Sequence, residues 1–453
     1  MAFRKTRRCI VDDNALARQF TAASLLRFAL PNIVMMVFLS LYTIMDGIFI
    51  SRYVGTLALS AVNMSFPLDC LEMAVGIMLS TGGSAVIARE LGEGKTRTAR
   101  QDLTCITVVC LGCGVIFAVV GTVFLDPILH LLGTSEAQFA LCREYTRILM
   151  AFAPAFFLQT AFQALFVTAG RPGLGLGMTV AGGMANILLD WLFMGPLNWG
   201  IRGAAVATVI GYCIPAAGGI LFFLWNRKGS LCFTAFRPRW DMLLRACGNG
   251  ASEMVSNIAN AVTTFLFNLI FLRFWGEDGV AAITIVMYFQ FVLTAVFFGF
   301  SMGVAPVVSY KFGAQDTDQL KRIFRSCLWF TLGCSLAAYI MSRLTVGFCL
   351  TVFTNPASPV FSIAMKGFPF YAVSFLFMGV SIFASSLFTA LSNGTASAVI
   401  SFARTFLFLV GMLLLLPWLW GETGVWLAVP AAELLGLTVS VGFLVWGRNK
   451  YQY

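Results

Sequence analysis

Long apolar runs separated by short polar stretches set the pattern of this chain. Runs of the length that crosses a bilayer, about 20 mostly apolar residues each, occur twelve times. They lie near 25–51, 60–84, 102–124, 144–168, 175–197, 203–225, 248–272, 279–303, 326–348, 363–391, 397–418 and 424–447. We number them spans 1 to 12. The pattern predicts an all-α membrane protein with six transmembrane helices in each half of the chain.

The two halves superimpose at a single offset. Arg52-Tyr53-Val54-Gly55 reappears 221 residues later as Arg273-Phe274-Trp275-Gly276. Trp199-Gly200-Ile201-Arg202-Gly203 reappears at the same offset as Trp420-Gly421-Glu422-Thr423-Gly424. Ser80 and Gly82 fall on Ser301 and Gly303, and Leu91-Gly92 on Phe312-Gly313. Six spans per repeat is an even number, so both halves enter the membrane in the same sense. The predicted lobes are therefore related by a pseudo-two-fold axis along the membrane normal, a signature of secondary transporters. The divisions are a segment 1–24, an N lobe 25–225, a linker 226–247, a C lobe 248–447 and a tail 448–453.

Composition agrees with a bilayer as solvent. Charged residues make up 11% of the chain and hydrophobic ones 59%, against about 25% charged in soluble domains. The net charge of +10 reads as an address and not as a nucleic-acid surface. With the N-terminus inside, 22 of the 30 Lys and Arg fall in inner segments, from Arg4, Lys5, Arg7 and Arg8 to Arg448 and Lys450. The positive-inside rule then predicts that both termini are cytoplasmic. The 12 cysteines show no paired metal-ligand spacing and read as small buried hydrophobes. Pro31, Pro67, Pro154, Pro215, Pro306, Pro369 and Pro430 fall within spans, where each removes a backbone donor and is expected to kink its helix.

Enzyme motifs fail. Gly94-Lys95-Thr96 lacks the upstream glycine of a phosphate loop, because Arg89 stands there. Gly173-Leu174-Gly175-Leu176-Gly177 opens a membrane helix and follows no strand. The lone His130 excludes paired-histidine metal chemistry. No cofactor is expected.

The informative residues are acids inside spans, where Asp costs about 2.5–3.5 kcal/mol on insertion scales. Such residues mark ion or proton routes. Asp46 lies late in span 1 and Asp190 in span 5, and Asn186 shares a helix face with Asp190 four residues on. Two carboxylates and an amide converging in one pocket would take a proton, or a small metal cation such as Na⁺ through oxygen ligands. A structural hydrogen bond to a neighbouring helix is the other reading. At the repeat offset Asp46 maps to Phe267 and Asp190 to Gly411, so the fold itself does not need these acids. In the C lobe, Glu253, Asn257 and Asn260 share a face of span 7, with Glu253 a second acidic candidate. Arg404 of span 11 and Glu433 of span 12 form either a structural pair or a gating one. Asp69 and Glu72 of span 2 are placed in a wetted vestibule.

These motifs together resemble the multidrug and toxic compound extrusion (MATE) transporters over essentially the whole chain. The stretches that carry the likeness in the N lobe are Leu30-Pro31 with Asp46-Gly47-Ile48-Phe49-Ile50, Arg52-Tyr53-Val54-Gly55, Ser65-Phe66-Pro67 and Ala88-Arg89-Glu90-Leu91-Gly92-Glu93-Gly94. Gly170-Arg171-Pro172 with Asn186 and Asp190, and Gly203-Ala204-Ala205-Val206-Ala207-Thr208, continue it. Gly303-Val304-Ala305-Pro306 and Gly424-Val425-Trp426-Leu427-Ala428 add the C lobe. The pattern is most similar to the prokaryotic branch with an acidic first-lobe site.

The resemblance implies a V-shaped, multi-pass carrier of a bacterial or archaeal plasma membrane, working as a monomer. It implies export of organic cations against entry of H⁺ or Na⁺, with flipping or export of a lipid-linked or other endogenous metabolite as the alternative. Residue by residue, Asp46, Asn186 and Asp190 match the family's cation site. Tyr145 and Thr208 resemble its accompanying polar positions, Pro31 the place where span 1 bends, and Glu253 an acid used by another branch. No acid at or near Gly411 matches that branch's later carboxylate.

Overall fold

A computed structural model of the chain describes residues 15–132, 134, 136–226 and 229–453. Arg4, Lys5, Arg7, Arg8, Arg227 and Lys228, which enter the charge argument, lie outside the described residues. All regular elements among the described residues are helical. Spans 1 to 3 are Ala22–Val54, Thr56–Gly92 and Thr96–Val123. Span 4 is a bent pair, Glu136–Ala151 and Ala153–Thr168, meeting at 56°. Spans 5 and 6 are Pro172–Met194 and Ile201–Trp225. Spans 7 and 8 share the run Trp240–Gly313, which breaks at Gly276. Span 9 is Thr317–Phe353, span 10 is Pro359–Ala390, and spans 11 and 12 share Gly394–Tyr451, which breaks at Trp420 and Gly421. With the bent pair taken as one span and the two broken runs divided, the described residues form twelve spans.

The repeat is visible in the backbone. Gly55 (φ 116°) and Gly276 (φ 65°) turn the chain between the first two spans of each lobe, and Gly200 (φ 59°) and Gly421 (φ 57°) do so between the last two. Each pair is 221 residues apart. Positive φ is costly for side chains with a Cβ, so the two longest motifs shared by the halves are turn motifs.

Most of the prolines within spans do not break their helices. The helices run on through Pro31, Pro67, Pro215, Pro306 and Pro430. Proline removes one ladder bond, yet its fixed φ is itself helical. Pro154, just after the span 4 bend, Pro369, just before a 3₁₀ turn at Ala372–Ser374, and Pro417, three residues before the break at Trp420, lie near a discontinuity. Span 7 begins at Trp240, eight residues before the expected 248, so the linker is shorter.

Residues 15–20, the C-terminal residues, the described part of the linker and the ends of spans 2 and 8 share one face, here called the terminal face. One apolar core crosses between the lobes there, including Leu16, Ala29, Ile33, Leu79, Val86, Leu231, Ala246, Val304, Val307 and Tyr453. Towards the far face each lobe has a core of its own. Ile50, Tyr145, Met194 and Ala205 belong to one, and Phe267, Phe271, Phe368 and Trp426 to the other. The lobes are thus joined at the terminal face and parted beyond it, which makes the V. A methyl on Gly92 would run into the Tyr310 carbonyl, and one on Gly313 into the Arg89 carbonyl. These two contacts exchange under the repeat, since 92 and 313, and 89 and 310, differ by 221.

The linker and the N-terminal segment are tied to this joint. Arg239, the residue before span 7, pairs with the fully buried Asp102 of span 3 at 2.6 Å and with Glu90 of span 2 at 3.5 Å. Lys311 Nζ donates to the Ala17 carbonyl at 3.2 Å, and the Phe20 N–H donates to Gln319 Oε1 at 3.0 Å. Towards the bilayer the molecule presents Val115, Ile116, Val119 and Val123 from span 3 and Trp329, Leu336, Leu344 and Phe348 from span 9.

Candidate functional site

Glycines let spans 1, 5 and 6 approach closely enough to hold polar groups between them. A methyl on Gly182 would meet the Gly211 carbonyl of span 6 at 2.5 Å, and one on Gly211 the Asn186 side chain at 3.2 Å. Gly183 receives the Phe38 ring of span 1. One turn after this contact, span 5 carries Asn186 and then Asp190, which are 2% and 0% exposed.

The structure brings Asp46, Asn186, Asp190, Thr208 and Tyr145 into one region of the N lobe. Asn186 Nδ2 donates to Thr208 Oγ1 at 3.3 Å, and Thr208 Oγ1 donates to the Ala204 carbonyl at 3.0 Å. The Asp46 and Asp190 carboxyl groups face each other within hydrogen-bonding reach. Tyr145 is buried and lies within electrostatic reach of both. Four buried oxygens here have no protein donor: Asp46 Oδ1, Asn186 Oδ1 and both Asp190 oxygens. No Lys or Arg pairs with either acid among the described residues. Acceptors gathered without donors suit a proton shared between carboxyls, or a small cation held by oxygens. No group of three or more His, Cys, Asp or Glu is gathered for a metal among the described residues.

Sequence reasoning did not single out the residues that complete this region. Tyr42, Gln159, Thr179 and Tyr212 line a small cavity together with Asn186 and Thr208. Tyr42 stands four residues before Asp46 and Thr179 seven before Asn186, so helical spacing carried a signal for both. Asp46 also precedes a π-helical stretch, Ile50–Val54. The Asp46 carbonyl accepts the Ile50 N–H at its start.

The C-lobe candidates sit apart from these. Arg404 Nε donates to both Glu433 oxygens, at 3.1 and 2.8 Å. Arg404 belongs to a second π-helical stretch, Ala403–Phe408. Glu253 is half-buried within electrostatic reach of Arg404, and its carbonyl accepts from Asn257 Nδ2 at 2.8 Å. Pro31 lies next to Asn32, against Gly299 of span 8 at the joint between lobes.

A family model described as MatE matches residues 31–192 and again residues 253–414. The FAD transporter of Shewanella oneidensis is 25% identical over 431 residues, covering 91% of each chain. The multidrug export protein MepA of Staphylococcus aureus is 23% identical over 420 residues, again covering 91% of each. Among solved structures, an outward-facing multidrug resistance MATE family transporter of the MOP superfamily superposes with a TM-score of 0.89 at 22% identity, covering 97% of both chains. A MOP superfamily transporter from Pyrococcus furiosus gives 0.88 at 20% identity, with the same coverage. At such identities the structures testify to the fold.

Proposed function

The chain belongs to the MatE family, which consists of membrane transporters and not of enzymes, and from that premise we propose that it exports organic, amphipathic cations in exchange for H⁺ or Na⁺. The observation that carries this reading is the donor-free group of Asp46, Asn186 and Asp190 oxygens inside the N lobe. Loading that group with a cation removes the cost of buried unpaired charge. The cation then has a different affinity for each arrangement of span 1, which is the condition for a gradient to drive transport.

The π-helical stretch beside Asp46 gives span 1 a place to change register. Cation entry from the far face draws Asp46 and Asp190 together, shifts span 1 and expels the exported compound. Return of the lobes to the opposite arrangement releases the cation. The positive-inside count supports placing the terminal face in the cytoplasm of a prokaryotic plasma membrane. A carrier of this kind works as a monomer.

Proteoliposomes loaded with a fluorescent organic cation test the reading. Efflux should follow an imposed H⁺ or Na⁺ gradient and vanish in Asp46→Asn and in Asp190→Asn, while both variants remain monodisperse and inserted. Full gradient-driven efflux by Asp46→Asn would overturn it. A second reading, export of a flavin or another endogenous metabolite, is supported by the likeness to a protein named FAD transporter. Gradient-dependent flavin flux that organic cations do not compete with would favour it.

A further inference from the structure

The N lobe holds a second pair of acids that the site above does not use. Asp69 and Glu72 stand three residues apart on span 2 and so share a helix face. Glu72 is 5% exposed, and its buried Oε1 has no hydrogen-bond partner. That burial corrects the wetted vestibule expected from sequence. Asp69 is half-buried and within electrostatic reach of Glu72. No Lys or Arg faces either acid among the described residues.

The titratable groups around the pair come from three elements. Tyr145 and Cys142 face it from span 4, Tyr212 from span 6, and Cys70 from span 2 itself. Two of the tyrosines connect it to the first pair. Tyr145 is within reach of Asp69 and also of Asp46 and Asp190, and Tyr212 is within reach of Asp69, Glu72 and Tyr42. Buried phenols thus stand within electrostatic reach of both acid pairs in one lobe.

An unpaired carboxylate in such a place is costly unless it binds a proton or a cation. Adjacent acids one turn apart supply four oxygens to a single small ion. Tyr145 and Cys142, both at most 4% exposed, wall the pair with buried side chains, which favours a small ion over an organic one. We propose that Asp69 and Glu72 form a second site for a small monovalent cation, H⁺ or Na⁺, so that the fully loaded N lobe holds two. Binding at this site stands on its own geometry; only its part in coupling rests on the antiport reading.

Counting bound cations on the purified full-length protein tests this. Radiosodium equilibrium dialysis serves as the Na⁺ arm and difference potentiometric titration as the H⁺ arm. In the arm that reports the physiological ion, wild type should hold two equivalents. Asp69→Asn/Glu72→Gln should hold one, and so should Asp46→Asn/Asp190→Asn. Joining all four substitutions should leave none. Glu72→Asp, which keeps the charge, should hold two, and Asp69→Asn alone serves if the double variant is not monodisperse. An equal count in wild type and in Asp69→Asn/Glu72→Gln, in both arms, would overturn the site. If two equivalents fall to one while no gradient drives efflux, the site stands and the antiport reading fails. If gradients drive efflux and the count stays unchanged, the reverse holds.

Discussion

At the scale of single residues, the candidate site depends on what is missing as much as on what is there. Gly182 lacks the Cβ that would strike the Gly211 carbonyl, and the site oxygens lack donors. Gly182→Ala should therefore push spans 5 and 6 apart, at a cost of about 1–3 kcal/mol for overpacking. It should lower the melting temperature of purified protein and weaken cation-dependent efflux together, whereas Gly177→Ala, with open space around it, should do neither. The acids were legible in the sequence because a carboxylate in an apolar run is expensive wherever it points. Tyr42 and Thr179 showed only as residues at helical spacing from Asp46 and Asn186, and Tyr212 not at all, since tyrosine and threonine are cheap in a membrane helix and spacing alone does not separate a site residue from its neighbours. Glu72 shows the same gap from the other side: the acid is visible in the sequence, its burial is not.

Helices and turns carry the next level. The lobe repeat was readable because its longest matching motifs are turns that need positive φ, with Gly55, Gly200, Gly276 and Gly421 as their fixed points, and the shorter ones are glycines at close helix contacts such as Gly92 and Gly313. Prolines misled as markers of breaks, since a helix continues through them wherever packing holds it. Neither π-helical stretch was legible, because one inserted residue leaves the apolar pattern unchanged. In the C lobe the Arg404–Glu433 pair joins spans 11 and 12, with both side chains largely buried. Arg404→Leu should cost about 3–5 kcal/mol by stranding Glu433, and Arg404→Leu/Glu433→Leu should recover most of it, as read by thermal unfolding in detergent. Outside the spans, Glu93 sits between Arg89 at 3.0 Å and Lys95 at 2.6 Å. Partial burial pushes its carboxyl up, but hydrogen bonds from Lys95 and Arg89 outweigh that and hold it below the usual carboxylate range. Its contribution is therefore present above the unfolded-state value and lost as pH falls through the folded one. At this exposure it amounts to about 1 kcal/mol or less, so amide protection factors in the turn between spans 2 and 3, corrected for the intrinsic exchange rate at each pH, should fall slightly on acidification.

For the whole molecule, the joint at the terminal face is the element both halves share. Gly92→Val and Gly313→Val wedge equivalent points of one pseudo-symmetric contact. Each should favour parting of the lobes there, and by similar amounts. Distances between spin labels on the terminal ends of spans 2 and 8 would register it. Unequal responses would mean that the linker clasp of Arg239 with Asp102 and Glu90, which only one half possesses, dominates the joint. An apolar seam of this kind also has a thermal consequence. Separating Leu79, Val86, Val304 and Val307 wets hydrocarbon surface, so that step should carry a positive heat capacity change. Its free-energy cost then shrinks on cooling, and a chilled carrier should spend more of its time splayed at the terminal face than a warm one.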